Sequence, residues 1–212
     1  MPQPSRLFPA HRVAQHKALA RSYIRRRRKH TPVTEEIERR FTQHLSQLIA
    51  ELEPGSTLAG FLPLATEPPI TGALREAVEQ GHTVLAPVVL PHHHLGWVRW
   101  HPQEPTQVNS LGILEPTGER LDSGAFVEAD LRLVPALAVD RQGRRLGQGG
   151  GYYDRLFEML GEKALSPSTA GVVFDRELLD GLPAEPWDAQ LSTVVTEEGV
   201  RRITPSSTPP AR

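Results

Sequence analysis

Cysteine is absent from this chain of 212 residues. The absence excludes disulfide bonds and thiolate chemistry, and it agrees with a reducing cytoplasm. No apolar run approaches the roughly 18 residues that a membrane-spanning helix needs, and the N-terminus lacks the short apolar core of a secretory signal. We therefore expect a cytoplasmic protein that is neither exported nor inserted in a membrane.

An excess of charge of one sign is missing as well. The chain has 24 Lys and Arg residues against 25 Asp and Glu residues, so the whole molecule has no electrostatic bias toward nucleic acid or a membrane surface. Any anion-binding site must be local. The length predicts one domain, over residues 10–204, and we expect a monomer. The proline-rich, polar segments 1–9 and 205–212 are expected to be loose.

Two helices are predicted ahead of the first strand. Residues 13–29 have the composition of a basic helix. A second helix is expected from Thr31 as its N-cap, with Pro32 in its first turn, to about Leu52. Apolar residues at helical spacing from Ile37 to Ile49 support this second helix.

The remaining elements alternate between strands and helices. Residues 57–64, 71–81 and 82–89 read as strand, helix and strand, which is the pattern of a parallel βαβ unit. Further strands are predicted at 95–101, 131–140, 168–174 and 191–197, and a further helix at 151–160. We predict an α/β fold with an open, mainly parallel sheet that helices cover on both faces, as in Rossmann-like proteins. Its ligand crevice is expected at the carboxyl ends of the strands.

The segment from Arg144 to Leu156 has four glycines within five positions, at Gly147, Gly149, Gly150 and Gly151. A strand that runs into a glycine-rich loop and then into a helix places backbone N–H groups and the positive helix end around one point, which suits a phosphate. Asp154, just beyond the loop, is the kind of residue that holds Mg²⁺ beside a polyphosphate. A flexible turn is the alternative interpretation.

This segment matches neither of two common phosphate-binding patterns. No Lys-Ser or Lys-Thr pair follows the glycines, as a Walker loop would require. Tyr152 stands where the last glycine of the dinucleotide pattern G-x-G-x-x-G would be. The segment "RLGQGGGYYDR" instead closely resembles the signature of the 5-formyltetrahydrofolate cyclo-ligases, also called methenyltetrahydrofolate synthetases.

Four further features resemble that family, in its order and at roughly its spacing. They are the basic helix with Lys17, Arg21 and Arg27, the segment "LATEPPIT" with Glu67, the segment "LGILEP" at 111–116, and the closing segment "PWDAQLSTVVTEEGV" at 186–200. The resemblance therefore spans nearly the whole chain. It also relates the fold to the scaffolds of sugar-phosphate isomerases and coenzyme A transferases.

The resemblance implies a reaction that uses ATP and Mg²⁺. The family converts 5-formyltetrahydrofolate to 5,10-methenyltetrahydrofolate while ATP becomes ADP and phosphate. Phosphorylation of the formyl oxygen turns it into a good leaving group, and N10 then attacks and expels phosphate. Positioning and charge neutralisation are the main tasks of the protein in phosphoryl transfer.

The same resemblance implies roles for individual residues. Asp154 is expected to hold Mg²⁺, Glu67 to contact the folate near N10 and the formyl group as a catalytic residue, Arg145 to be catalytic, and Tyr152 to flank the pterin. The expected ATP-binding residues are Lys17, Arg21, Arg145, Gly147, Gln148, Gly149, Gly150, Gly151 and Tyr153. Some family members have cations where this chain has Gln148 and Gly150, which leaves more of the charge neutralisation to the N-terminal helix.

Two other features have ordinary interpretations. The run "RRRRK" at 25–29 is hypothesised to be a solvated helix face with one or two ATP contacts rather than a nucleic-acid site. The three histidines 92–94 are expected in an exposed loop and not at a metal, because adjacent residues of a strand cannot all face one ion. A related protein that acts on a non-folate substrate, or that binds nucleic acid, stays the alternative function.

Overall fold

The structure is a computed structural model, and it describes residues 10–185 and 188–203. The terminal segments predicted to be loose, 1–9 and 205–212, lie outside the described residues, as does residue 204. The predicted limits of the domain therefore stay a prediction. None of the helices in the described ranges is both long enough and apolar enough to cross a membrane.

The described residues form helices and strands in alternation along much of the chain. The α-helices are α1 (Ala10–Lys29), α2 (Glu35–Ile49), α3 (Thr71–Glu79), α4 (Gly124–Glu128) and α5 (Tyr152–Leu160). Short 3-10 helices cover Pro91–His93, Gly161–Leu165 and Asp175–Glu177. The strands are β1 (Thr57–Ala59), β2 (Thr83–Leu90), β3 (His94–Arg99), β4 (Thr106–Val108), β5 (Leu114–Pro116), β6 (Arg120–Leu121), β7 (Leu131–Pro135), β8 (Ala138–Asp140), β9 (Arg145–Leu146), β10 (Thr169–Val172), β11 (Leu178–Leu179), β12 (Thr193–Thr196) and β13 (Gly199–Arg202).

Eight of these strands form one sheet, in the order β13-β12-β10-β7-β1-β2-β3-β6. The central strands β2, β1, β7, β10 and β12 pair in parallel. The outer strands β3, β6 and β13 pair antiparallel. The prediction of an open, mainly parallel sheet with a βαβ unit at β1-α3-β2 is confirmed.

Helices cover both faces of this sheet, as predicted. On one face α2 and α3 bury Phe41, Leu45 and Leu74 against strand residues such as Leu133 and Val172. On the other face α4 and α5 bury a second cluster, which contains Phe126, Leu156, Phe157, Trp97 and Val134. Burial on both faces explains why the central strands are continuous apolar runs in the sequence.

Helix α2 begins three residues later than predicted. Its N-cap is Thr34, whose hydroxyl accepts a hydrogen bond from the Ile37 N–H, so the prediction of Thr31 as the cap was wrong. Pro32 consequently lies ahead of the helix. The acidic residues Glu35 and Glu36 do lie in the first turn, where the positive end of the helix dipole favours them.

Two predicted strands are shorter than the apolar runs that suggested them. The run at 57–64 is a strand only as far as Ala59, and Phe61, Leu62 and Leu64 beyond it line a cavity at the end of the sheet. The run at 131–140 is two strands. Strand β7 ends at Pro135 in the large sheet, whereas β8 belongs to a small sheet of order β11-β8-β9. Proline has no N–H to donate to a following ladder.

The run "RRRRK" is not a uniformly solvated helix face, so that interpretation was wrong for one of its members. Arg28 is buried and forms an ion pair with Glu177, 2.6 Å from Nη2 to Oε2, and it donates to the Ala136 carbonyl. These contacts anchor α1 to the body of the protein. Arg26 and Arg27 are exposed. The histidines 92–94 are exposed as predicted, but they lie in the 3-10 helix Pro91–His93 and at the start of β3 rather than in a loop.

Candidate active site

A cavity of about 400 Å³ lies at the carboxyl ends of β1, β2 and β7, where a crevice is expected in an open parallel sheet. One side is formed by the glycine loop, which we define as residues 147–151, together with Arg25, Arg145 and Asp154. The rest of the lining is mainly apolar, and we call it the apolar side. Its lining residues are Phe61, Leu62, Leu64, Pro87, Val89, Leu95, Leu111, Ile113 and Leu114. Two carboxylates, Glu67 and Glu115, also line the cavity.

The glycine loop joins β9 to α5, and its conformation requires glycine. Gly149 and Gly151 have φ of +95° and +75°, a region that L side chains rarely adopt. A Cβ atom on Gly147 would lie 2.8 Å from Nη1 of Arg145, and one on Gly150 would lie 3.0 Å from the Tyr152 ring. The loop therefore packs its backbone tightly between these side chains and leads directly into the first turn of α5.

Helix α1, far away in the sequence, contacts this loop. Arg21 donates from Nε to the Gly147 carbonyl oxygen at 3.0 Å. Arg25 donates from Nη2 to the Gln148 carbonyl oxygen and from Nε to Oε1 of the same residue at 3.3 Å. The contact between the basic helix and the loop depends on the tertiary fold. Arg21, predicted at the ATP site, contacts the loop but does not line the cavity. Arg25 does line it, and the sequence included this residue only in the run 25–29, for which one or two ATP contacts were expected.

Arg145 is buried at the base of the loop. Nη1 donates to the Pro135 carbonyl oxygen at 3.0 Å, and Nη2 pairs with Asp154. The guanidinium carbon lies 5.6 Å from the ring centroids of both Tyr153 and Phe157. Its Nε has no hydrogen-bond partner among the described residues. The cation is thus fixed beside the loop, and its Nε–H is available to a ligand.

The hydroxyl of Tyr153 is a second buried polar group without a partner among the described residues. Burial raises the pKa of this phenol well above its ordinary range, and the nearby Arg145 only partly offsets that effect. The hydroxyl therefore stays protonated and is available as a hydrogen-bond donor. Tyr152 also lines the cavity, with its ring centroid 5.2 Å from that of His93.

Glu67 lies in the segment that follows β1, and only 7% of its surface is exposed. Its Oε2 accepts a hydrogen bond from the Leu64 N–H at 3.0 Å, and its Oε1 accepts one from Nε2 of Gln148 at 2.9 Å. The second contact joins the segment after β1 to the glycine loop. Each carboxylate oxygen has a further lone pair that a substrate can use.

Glu115 is a buried carboxylate of the cavity to which the sequence assigned no role. Its Oε1 accepts hydrogen bonds from the Val89 N–H and from Nδ2 of Asn109, both at 2.7 Å. These contacts tie the β4-β5 hairpin to β2. The only signal in the sequence was its place in "LGILEP", a carboxylate within an otherwise apolar segment.

Lys17 does not line this cavity. Its ammonium is largely buried between two carboxylates, 2.8 Å from Oε2 of Glu185 and 2.6 Å from Oδ2 of Asp188. The exposed Arg27 does not line the cavity either. The role of Lys17 in binding ATP therefore stays a prediction, and in this structure the residue ties α1 to the segment before β12.

Few of the described side chains are placed to bind a metal ion. Among the described residues no group of three or more His, Asp or Glu side chains is arranged to hold an ion. Asp154, whose side chain is 61% exposed and paired with Arg145, lies at the edge of the cavity. Such a set fits Mg²⁺, which commonly uses one or two protein carboxylates and otherwise phosphate oxygens and water.

Comparison with known proteins points to one family. Residues 13–197 match the family model described as the 5-formyltetrahydrofolate cyclo-ligase family. A 5-formyltetrahydrofolate cyclo-ligase of Mycolicibacterium smegmatis is 39% identical over 150 residues, which cover 67% of this chain and 74% of that protein. The enzyme of the same name from Escherichia coli K12 is 33% identical over 146 residues, covering 68% and 79%.

Solved structures give the same fold. The NMR structure of the 5,10-methenyltetrahydrofolate synthetase of Aquifex aeolicus superimposes with a TM-score of 0.69 at 28% identity, over 88% of this chain and 92% of that one. A 5,10-methenyltetrahydrofolate synthetase from Mycoplasma pneumoniae superimposes with a TM-score of 0.63 at 21% identity, over 86% and 99%. The latter likeness concerns the fold alone.

Proposed function

The chain belongs to the 5-formyltetrahydrofolate cyclo-ligase family, and we propose that it closes 5-formyltetrahydrofolate to 5,10-methenyltetrahydrofolate in the cavity beside the glycine loop, with ATP and Mg²⁺. The main support for the proposal is a contact between the two sides of that cavity. Gln148 of the glycine loop lies 2.9 Å from the buried Glu67, which borders the apolar side. A phosphate donor and a reduced folate can therefore meet at one point.

We assign the side of the cavity that the glycine loop forms to the phosphates of ATP. The glycine backbone, the first turn of α5 and three nearby arginines offer donors and positive charge, which is what a polyphosphate requires. The Nε of Arg145 and the hydroxyl of Tyr153 have no partner in the described part of the chain, and this supports the assignment because buried polar groups are usually hydrogen-bonded. Asp154 would hold Mg²⁺, which neutralises charge on the phosphates during transfer.

The apolar side suits the rings of a reduced folate. Leucine and proline side chains line it, and Tyr152 stands where the apolar residues meet the loop. Ligand sites of this kind combine an apolar wall with a few placed polar groups. Glu67 and Glu115 supply hydrogen-bond acceptors in an otherwise apolar wall.

The chemistry is the activation of an amide oxygen. ATP supplies the γ-phosphoryl group that the formyl oxygen accepts. N10 then bonds to the formyl carbon, the carbon–oxygen bond breaks, and the oxygen leaves as phosphate. N10 also loses its proton, and we assign its acceptance to the carboxylate of Glu67. The arginines at the loop keep the transferred group in line and stabilise its charge.

An absorbance assay tests this function. Purified protein with Mg²⁺-ATP and 5-formyltetrahydrofolate should produce the near-ultraviolet absorbance of the methenyl compound, whereas omission of ATP or of protein should abolish the change. Absence of any change with both substrates present would contradict the proposal. Thermal stabilisation by ATP but not by 5-formyltetrahydrofolate would favour a related enzyme with a non-folate substrate.

No observation favours a nucleic-acid function. In the run "RRRRK", Arg28 is buried in an ion pair, and the exposed Arg25 is hydrogen-bonded to the glycine loop. Only part of the run is therefore presented to solvent, and the chain has no net positive charge.

A further inference from the structure

The side chain of Gln148 is hydrogen-bonded to protein groups at both of its polar ends. Its Nε2 donates to Oε1 of Glu67 at 2.9 Å, and its Oε1 accepts from Nε of Arg25 at 3.3 Å. The amide therefore lies between a cation of α1 and the carboxylate assigned to the folate. These two contacts use both polar ends of the side chain.

The chemistry of its neighbours allows one orientation of this amide. A guanidinium can only donate hydrogen bonds, and an ionised carboxylate can only accept them. The amide oxygen must therefore face Arg25 and the amide nitrogen must face Glu67. The reversed amide would place donor against donor and acceptor against acceptor, so Arg25 fixes the direction in which the amide donates.

The backbone of Gln148 is held from the same helix. Nη2 of Arg25 donates to its carbonyl oxygen, and Arg21 donates to that of the preceding Gly147. The position from which the amide reaches Glu67 is thus set by two arginines of α1. A displacement of the loop would change the hydrogen bond to Glu67 directly.

The amide is also uncharged, and this matters for the carboxylate. The two hydrogen-bond donors to Glu67 among the described residues, the Leu64 N–H and the Gln148 amide, are both neutral. A cation in place of Gln148 would form a charge-assisted pair with Glu67 and compete for its negative charge. A neutral donor orients the carboxylate and leaves that charge for the substrate.

We propose that Gln148 is a positioning residue, whose amide, oriented by Arg25, holds the Glu67 carboxylate toward the reduced folate and links it to the glycine loop. The inference rests on the proposed function, because it assigns Gln148 to the folate side of that reaction. It replaces the expectation that this side chain contacts ATP.

The test is kinetic analysis of Gln148→Leu, which keeps the approximate volume and removes both polar ends. The turnover number should fall about tenfold, the size of a lost hydrogen bond to a charged group, while the KM for ATP stays within about twofold. A raised KM for ATP with unchanged turnover would overturn the inference, because it would show a phosphate contact. Gln148→Met, which is unbranched, should give the same result.

A double-mutant cycle separates positioning from a general structural effect. In the Glu67→Gln background, Gln148→Leu should lower turnover by less than about twofold, since the carboxylate on which it acts is gone. An equal tenfold loss in both backgrounds would overturn the inference. The matched control is Gln80→Leu, at the exposed C-cap of α3, which should leave turnover and both KM values unchanged.

An assay of the wild-type protein distinguishes failure of the proposed function from failure of the role proposed for Gln148. A wild-type protein that forms no methenyl product contradicts the proposed function itself. An active wild type whose turnover is insensitive to Gln148→Leu contradicts only the role assigned to Gln148.

Discussion

The two sides of the cavity are built in different ways. The glycine loop is fixed by backbone conformation and by long-range contacts, namely left-handed glycines, two arginines of α1 and the buried Arg145. The apolar side consists of side chains from the segment after β1, from β2, from Leu95 of β3 and from the β4-β5 hairpin. Three of the hairpin's apolar residues, Val108, Leu111 and Leu114, are exposed.

This difference indicates where each property of the enzyme resides. A site made from a tight backbone recognises a group that all nucleotides share, whereas a wall of side chains can be altered to suit one ring system. Glu67 and Gln148 are where the two sides touch. Substitutions should therefore separate into effects on the KM for ATP, effects on the KM for the folate, and effects on turnover.

The largest effect is expected at the junction. Glu67→Gln should lower turnover about a hundredfold, because it removes the proton acceptor proposed for N10, while ATP binding stays intact. Initial-rate kinetics and nucleotide titration measure the two quantities. Glu79→Gln, an exposed residue at the end of α3, is the matched control and should behave as wild type. Wild-type turnover in Glu67→Gln would refute the assignment of the folate site.

A smaller effect is expected on the glycine-loop side. Arg145→Met removes a buried cation and the donor to the Pro135 carbonyl oxygen, so the KM for ATP should rise about tenfold and stability should fall by about 1–3 kcal/mol. The KM for the folate should change by less than about twofold. Arg141→Met, with an exposed side chain, is the control. A change in the folate KM alone would reverse our assignment of the two sides.

On the apolar side, we expect a substitution to raise the KM for the folate rather than the KM for ATP. Leu111→Asp places a charge among the residues that line the cavity, and loss of apolar contact worth about 1 kcal/mol should raise the KM for the folate about fivefold. Leu111 is already 54% exposed, so the fold should tolerate the change. Val108→Asp, in the same hairpin but outside the lining, should leave both KM values unchanged. Equal effects of the two variants would contradict a folate contact of Leu111.

The smallest effect concerns Tyr153, whose hydroxyl has no partner among the described residues. Tyr153→Phe should leave stability at neutral pH unchanged or slightly higher, and should raise the KM for ATP about threefold through loss of a donor. A loss of more than about 1 kcal/mol in the free energy of unfolding would show that the hydroxyl has a structural partner.

The same variant has a signature in alkaline solution. Burial raises the pKa of Tyr153 above the ordinary 10.0, so above that pH the unfolded chain loses the proton while the folded chain keeps it. The contribution of Tyr153 to stability is complete below pH 10.0 and declines as the pH rises further. Melting temperatures should therefore fall more steeply above this pH for wild type than for Tyr153→Phe. Parallel curves would contradict the burial of this phenol.

Local patterns were sufficient to predict the alternation of strands and helices, the βαβ unit at β1 and β2, and the glycine loop ahead of α5. They were insufficient wherever a contact distant in the sequence decides the outcome. Pro135 is a local sign of a break within the apolar run 131–140, but nothing in the run shows that β8 joins a second sheet. Thr31 and Thr34 are both capping residue types, and only the helix geometry selects Thr34.

The candidate site, too, was predictable only where it does not depend on contacts distant in the sequence. Whether Lys17 meets a phosphate or a carboxylate depends on Glu185 and Asp188, more than 160 residues away, which no spacing within α1 reveals. One available signal was missed, because Arg21, Arg25 and Arg28 recur at intervals of four and three residues and so share one face of α1. That face is the one that contacts the loop and the core.

The most direct test of the account is the stoichiometry of products from the wild-type protein. With Mg²⁺-ATP and 5-formyltetrahydrofolate, we predict one ADP released for each 5,10-methenyltetrahydrofolate formed, and no ADP above background when the folate is omitted. Release of ADP that does not depend on the folate, or ring closure without ATP, would contradict a cavity in which phosphoryl transfer and cyclisation share one site.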